Sequence, residues 1–236
     1  MPGNVVKKKE IQARNRNYLS VKFSSHPFWR KILLLKSGRR NNMVVYGIIL
    51  AAGEGRRAGG NKLSRMIDGK PMLYRVLDAT CCSTLAGVIM VTGHERAFGE
   101  QAAAKYGIPA VFNSGYSEGM SSSLKLGIKS LPEEAEAFAI LLGDMPYIKS
   151  GIIDSLIDFY HKCGFGIVVP VYKGRRGHPP IISVKYKGEI LEVSGDMGAR
   201  QVINNHPEDT SYLEIDDSGI IEDVDYLCQF KPYEYK

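Results

Sequence analysis

The residues most suited to chemistry lie between positions 50 and 62. Leu50, Ala51, Ala52 and Gly53 lead into a loop holding Gly55, Arg56, Arg57, Gly59, Gly60 and Lys62. Four glycines within eight residues free the backbone N–H groups to converge on an anion. Two arginines and a lysine add the fixed positive charge that a polyphosphate requires. The pattern is neither a Walker loop, since Leu63 stands where Ser or Thr is needed, nor a dinucleotide fingerprint, since Ala58 takes the third glycine position. The bland alternative is a flexible basic surface loop.

Asp144 directly follows an apolar run at 137–142, which places a carboxylate at the rim of a sheet. A hard cation such as Mg²⁺ takes one or two carboxylates and completes its shell with phosphate oxygen and water. The competing role is an N-cap for the next helix. A second carboxylate is available from Glu222, Asp223 or Asp225, with Asp223 preferred and Asp225 next. Glu208 and Asp209 follow Pro207 in a turn and are set aside.

Further polar residues stand at expected element ends. Gly115, Gly119, Ser121, Ser122 and Ser123 open a helix, where bare N–H groups and hydroxyls bind a pyrimidine edge, ribose or phosphate. Capping alone accounts for one serine. Gly93 ends the second strand and would admit a base close to the backbone; His94 reads as a solvated helix start. His178, between Gly177 and Pro179, is presented by a rigid turn, either idle or facing an acceptor substrate. Asp196 and Arg200 stand at i and i+4, as a surface ion pair or as a pair orienting the acceptor.

These residues need a scaffold, and hydrophobic patterning supplies one. Apolar runs at 44–52, 88–91, 110–112, 137–142 and 166–171 read as strands, the first as a buried parallel one. Helical stretches at 71–81, 95–106, 121–131 and 150–161 alternate with them. That rhythm predicts an α/β, Rossmann-like three-layer domain with a mostly parallel sheet, whose ligands bind at the carboxyl ends of the strands. After Gly174 shorter strands are expected at 181–184, 212–215 and 220–224, perhaps antiparallel, with a helix near 197–204.

Charge divides the chain. Of the 236 residues, 1–42 hold 11 Lys and Arg against one acid, Glu10, leaving 20 basic and 24 acidic residues in 43–236. The leader is read as a disordered or weakly attached basic extension, and 43–236 as the domain. An ordered extension, or a true start at Met43, are the other readings. Only the leader offers a footprint for nucleic acid or an anionic surface, so nucleic acid is not expected as a partner of the domain. No apolar run approaches a membrane span, and the expected location is cytoplasmic. Cys81, Cys82, Cys163 and Cys228 follow no disulfide or zinc spacing, and the adjacent pair reads as buried thiols.

Five segments together resemble the nucleotidyltransferases with a MobA-like fold. They are Leu50 through Lys62, Gly119 through Leu124, Leu142 through Pro146, Gly174 through Pro179, and Gly195 through Arg200. In order and spacing they cover about 44–225. The last two look like the molybdenum cofactor cytidylyltransferase branch. The guanylyl branch tends to L-A-G-G where this chain has Ala52 before Gly53. The region of Asp223 and Asp225 departs from the family's pattern by lacking Thr-Pro.

The resemblance implies a fold like that of the nucleotide-diphospho-sugar transferases and transfer of CMP from CTP to the phosphate of molybdenum-bound molybdopterin, with Mg²⁺. Carried over by motif, Arg57, Lys62 and Asp144 would be catalytic. Leu50, Ala51, Ala52, Gly53, Gly55, Arg56, Gly59, Gly93, Ser122 and Ser123 would bind nucleotide. Asp144 with Asp223 or Asp225 would hold the metal, and His178, Asp196 and Arg200 would face the acceptor. A client molybdenum hydroxylase would be a partner. The alternatives are GTP or a sugar- or polyol-phosphate acceptor, a non-catalytic cofactor carrier, and RNA binding through the leader.

Overall fold

In the computed structural model, residues 43–55 and 60–224 are described. The leader, Arg56, Arg57, Gly59 and Asp225 lie outside the described residues.

The first strand, β1 (Val45–Ala51), is buried along both faces. Val45, Ile49 and Ala51 enter one core, and Ile48 enters the other, as the two-residue period of a strand requires. A two-stranded hairpin, β2 (Met66–Ile67) and β3 (Lys70–Pro71), follows the loop. Then come α1 (Met72–Cys81), β4 (Gly87–Thr92), α2 (Arg96–Tyr106), β5 (Ala110–Phe112), α3 (Met120–Lys129), β6 (Ala137–Leu142) and α4 (Ser150–Cys163). The remainder is β7 (Ile167–Tyr172), β8 (Arg175–Arg176), β9 (Ile181–Ser183), α5 (Lys187–Glu192), α6 (Arg200–Asn205) and β10 (Thr210–Glu214).

Among the described residues one large sheet runs β10-β7-β9-β6-β1-β4-β5, with β8 paired to β7. β1 lies between β6 and β4, parallel to both. Thus its carboxyl end, and those of β4 and β6, open on the same edge. Helices α1, α2 and α4 cover one face, burying Leu73, Val76, Leu77, Ala102, Ala103, Ile153 and Leu156. Helices α3, α5 and α6 cover the other through Leu124, Ile128, Ile190, Val202 and Ile203. The three-layer α/β architecture expected from the sequence is the one observed.

Three readings need correction. β9 is antiparallel to both β6 and β7, but β10 is parallel to β7. β10 lies on the far side of β7 from β9 and runs antiparallel to β9, the connection between them carrying α5 and α6. Residues 220–224 form no strand. The Asp217 carboxylate accepts the Gly219 N–H at 2.9 Å, a 3₁₀ turn covers Ser218–Ile220, and Val224 N–H donates to the Asp144 carbonyl at 3.2 Å. Finally, Cys82 is exposed and Cys81 half-buried, both free thiols. Burial pushes the Cys81 thiol up to about 11.

Candidate functional site

At the carboxyl edge of the sheet lies a cavity of about 550 Å³. Leu50, Ala51, Ala52, Gly53, Gly55 and Lys62 form its floor and one wall, Ser123 and the start of α3 another, and Leu142 and Asp144 a third. Three chain segments separated by tens of residues thus converge where parallel strands end, the usual ligand position in such folds.

Lys62 is 6% exposed, and its Nζ donates to Asp144 Oδ2 at 2.8 Å. Two local features aim it. Gly55 has φ +59°, and a Cβ there would stand 2.8 Å from Lys62 Cβ, so only glycine lets the loop fold back against the lysine. On the other side, the buried Glu95 carboxylate accepts the N–H groups of Leu63 at 2.7 Å and Ser64 at 3.1 Å.

Asp144 is not the cap of the next helix. That helix begins at Ser150 with Lys149 in the capping position. The Asp144 side chain remains 30% exposed to the cavity. Residues 218–224 run past this loop, and the Val224 N–H to Asp144 C=O bond brings the exposed Asp223 into its vicinity. Among the described residues, no group of three or more His, Cys, Asp and Glu is placed to hold a metal ion. Three carboxylates, Glu54, Glu118 and Asp144, line the cavity, and the exposed Asp223 stands beside the Asp144 loop. That composition fits a hard cation drawing most of its ligands from phosphate and water.

The helix start at α3 is built differently from expectation. Its serines bond within the protein. Ser121 Oγ donates to Gly195 C=O at 2.6 Å, and Ser122 Oγ donates to Gly115 and Gly119 C=O, each at 2.9 Å. The buried Asn113 amide donates to Ser122 Oγ at 2.8 Å and Ser123 Oγ at 2.9 Å, and its oxygen accepts the Gly115 N–H. Ser123 lines the cavity; Ser122 is not among its lining residues. Gly93 also stands off the cavity. A Cβ at Gly93 would lie 2.7 Å from Ala52 Cβ and closer still to Ala52 O, so its glycine is required by the approach of β4 to β1.

The backbone N–H of His178 donates to Ile220 C=O at 2.8 Å, and its Nδ1 lies 3.4 Å from Ile140 C=O. Burial pushes the imidazole below its ordinary value, with the charges of Asp144 and Arg200 as smaller influences. His178, Asp144 and Arg200 therefore share one electrostatic neighbourhood. Asp196 and Arg200 do not share a helix. Asp196 belongs to the 3₁₀ turn Gly195–Met197, and the exposed Arg200 begins α6. Ser121 ties that turn to α3.

Reasoning from sequence missed Glu95, Asn113 and Tyr116. Tyr116 lines the cavity, its ring edge-on to His94 with centroids 6.1 Å apart. A polar side chain one residue beyond an apolar strand was the available signal for Asn113. Glu95 gave only the ordinary sign of a helix start.

Known proteins agree with this geometry. A probable molybdenum cofactor guanylyltransferase of Thermococcus sibiricus is 25% identical over 62% of this chain and 71% of its own. The purine catabolism protein PucB of Bacillus subtilis is 27% identical over 76% and 90%. Among solved structures, Rv0371c of Mycobacterium tuberculosis superposes with a TM-score of 0.72 at 23% identity, covering 81% of this chain and 97% of that one. Rv0371c has also been solved in complex with manganese, with a TM-score of 0.64 at 22% identity over 74% of this chain and 90% of that one. The fold is that of the nucleotide-diphospho-sugar transferases. The model of the MobA-like NTP transferase domain matches residues 47–210, which include β1 from Gly47 onward, the Lys62 loop, Asp144 and His178. The chain is therefore a member of the MobA-like NTP transferase family, a nucleotidyltransferase.

Proposed function

We propose that this protein transfers CMP from CTP to the phosphate of a molybdenum-bound molybdopterin, releasing pyrophosphate. The observation that carries the reading is the Lys62–Asp144 pair, 2.8 Å apart in a cavity walled by the glycine loop. A triphosphate with its cation suits a cavity that holds a buried ammonium beside the Asp144 carboxylate at the end of a glycine-rich loop.

In the reaction, an oxygen of the acceptor phosphate attacks the α-phosphorus. The bond from that phosphorus to the oxygen bridging toward the β-phosphate breaks, and pyrophosphate departs with the electron pair. The acceptor is already an anion, so no proton needs removal and no general base is required. The protein's task is alignment and charge neutralisation. Lys62, with Arg57 from the neighbouring loop, holds the departing phosphates. Asp144, aided by Asp223 or Asp225, would hold Mg²⁺, which supplies charge neutralisation at the phosphates when bound. His178, whose imidazole burial holds below its ordinary value, would face the acceptor together with Arg200 and Asp196.

CTP is favoured over GTP by Ala52 in the first motif. The name of the thermococcal relative favours GTP. A client molybdenum hydroxylase would receive the product, and the compartment would be the cytoplasm. Among the described residues, no helix is long and apolar enough to cross a membrane. The test is pyrophosphate release from each of four nucleoside triphosphates, with and without molybdopterin. The reading expects acceptor-dependent release, fastest with CTP. GTP preference would move the chain to the guanylyl reaction. Tight retention of a finished dinucleotide cofactor without turnover would make it a carrier.

A further inference from the structure

Glu95 occupies the residue before α2, yet its side chain makes no cap to that helix. It turns instead toward a segment 32 residues earlier in the chain. Oε1 accepts the Leu63 N–H at 2.7 Å, and Oε2 accepts the Ser64 N–H at 3.1 Å. The residue is only 8% exposed, so both bonds are made largely away from water. Charge-assisted bonds from two successive N–H groups to one carboxylate are stronger and more directional than neutral ones.

The Leu63 N–H belongs to the same peptide plane as the Lys62 carbonyl. Anchoring that plane fixes the rotation about the Lys62 Cα–C bond, and with it the direction in which the side chain leaves the loop. The Lys62 carbonyl is held on its other side by the Arg65 N–H at 3.3 Å. Nothing in this arrangement requires a carboxylate for packing; a backbone pinned at two donors requires one for direction.

We propose that Glu95 is a positioning residue for nucleotidyl transfer, setting the backbone that aims Lys62 at Asp144 and the departing phosphates. This rests on the reading of the cavity as a nucleotidyl transfer site. Glu95→Gln preserves size but presents an N–H₂ to one of the two donors. Glu95→Asp preserves charge but shortens the reach by one methylene.

Two measurements test it. The first is a double-mutant cycle with Lys62→Ala, following pyrophosphate release from CTP with molybdopterin as acceptor. Glu95→Gln should lower kcat roughly 10- to 100-fold, the scale of an ångström-sized misplacement, with KM for CTP changed far less. The double variant should be no slower than Lys62→Ala alone, because both changes remove one function. Losses that multiply, or full activity in Glu95→Gln, would overturn the proposal.

The second needs no activity. Brief acetylation with acetic anhydride, followed by mass spectrometry, should label the shielded Lys62 slowly beside the exposed Lys173. Either Glu95 variant should raise the Lys62 to Lys173 ratio severalfold; an unchanged ratio contradicts the proposal. If labelling responds as expected but the wild-type protein releases no pyrophosphate from CTP with molybdopterin, the anchoring survives and the nucleotidyl transfer reading of the site, with the proposed role in transfer, falls.

Discussion

The Lys62 ammonium meets the Asp144 carboxylate at 2.8 Å across 82 residues of sequence. The lysine end is buried, 8% exposed at its side chain, and the aspartate end is open, at 30%. A phosphate entering the cavity therefore meets the lysine in competition with a carboxylate, and the carboxylate itself remains accessible to a cation. The pair keeps a buried ammonium compensated until substrate arrives.

Lys62→Ala should reduce turnover by about 10²–10³-fold, the scale for losing one charged stabiliser of a developing anion. Lys62 is buried but belongs to none of the hydrophobic clusters, and the Asp144 carboxylate it leaves behind is 30% exposed to solvent. The thermal midpoint should therefore move little. Near-normal turnover in the variant would remove Lys62 from the mechanism.

Asp144→Asn keeps the shape and an oxygen for Lys62 but deletes the charge. Since the capping position of α4 is Lys149, capping offers no reason for a stability change. Activity should collapse, with partial recovery at high Mg²⁺ or with Mn²⁺. Full activity at low Mg²⁺ would show that the carboxylate charge is not used.

Gly93 and Gly53 should separate structure from binding. At Gly93 a Cβ meets Ala52 backbone and side chain, whereas at Gly53 nothing lies within 4 Å. Gly93→Ala should cost about 1–3 kcal/mol by overpacking, seen as a fall of roughly 2–12 °C in the thermal midpoint. Gly53→Ala should melt near the wild type while raising KM for the triphosphate, because Gly53 lines the cavity. The reverse pattern would contradict these assignments.

The His206–Glu189 pair gives a pH signature. The Glu189 carboxylate, 2.6 Å away, raises the His206 imidazole above its ordinary 6.5, and Asn205 and His206 hold the Glu189 carboxyl below its ordinary 4.5. The histidine contribution is complete below about 6.5 and is lost as pH rises through its raised value. The glutamate contribution is present above about 4.5 and is lost as pH falls through its lowered value. His206→Gln should therefore flatten the thermal midpoint between pH 6 and 8 relative to the wild type. Parallel curves would show that the pair is not coupled to folding.

The scaffold was legible because period and composition agree. Buried parallel strands such as β1 are continuously apolar, and Lys62 and Asp144 stand one loop or one turn beyond such strands. The segment at 220–224 was misread because Ile220, Ile221 and Val224 carry strand propensity, while the competing Asp217 turn and the bond to Asp144 are tertiary. Sequence does not reveal that Ala52 packs against Gly93 so closely that a Cβ there would clash. Glu95 and Asn113 act on chain segments brought close by the fold, and local pattern carries no trace of such partners.

The central claim is that the α-phosphoryl group moves with its nucleoside onto a phosphate acceptor. Parallel reactions with molybdopterin and either α-³²P- or γ-³²P-labelled CTP test it most directly. The account predicts α-label in a diphosphate-linked cytidine product and γ-label in pyrophosphate, with both transfers greatly reduced by Lys62→Ala and Asp144→Asn. Label from the γ-position in orthophosphate, with no α-label on the acceptor, would mean that the site hydrolyses the triphosphate instead; label left wholly in CTP would mean that it merely binds it.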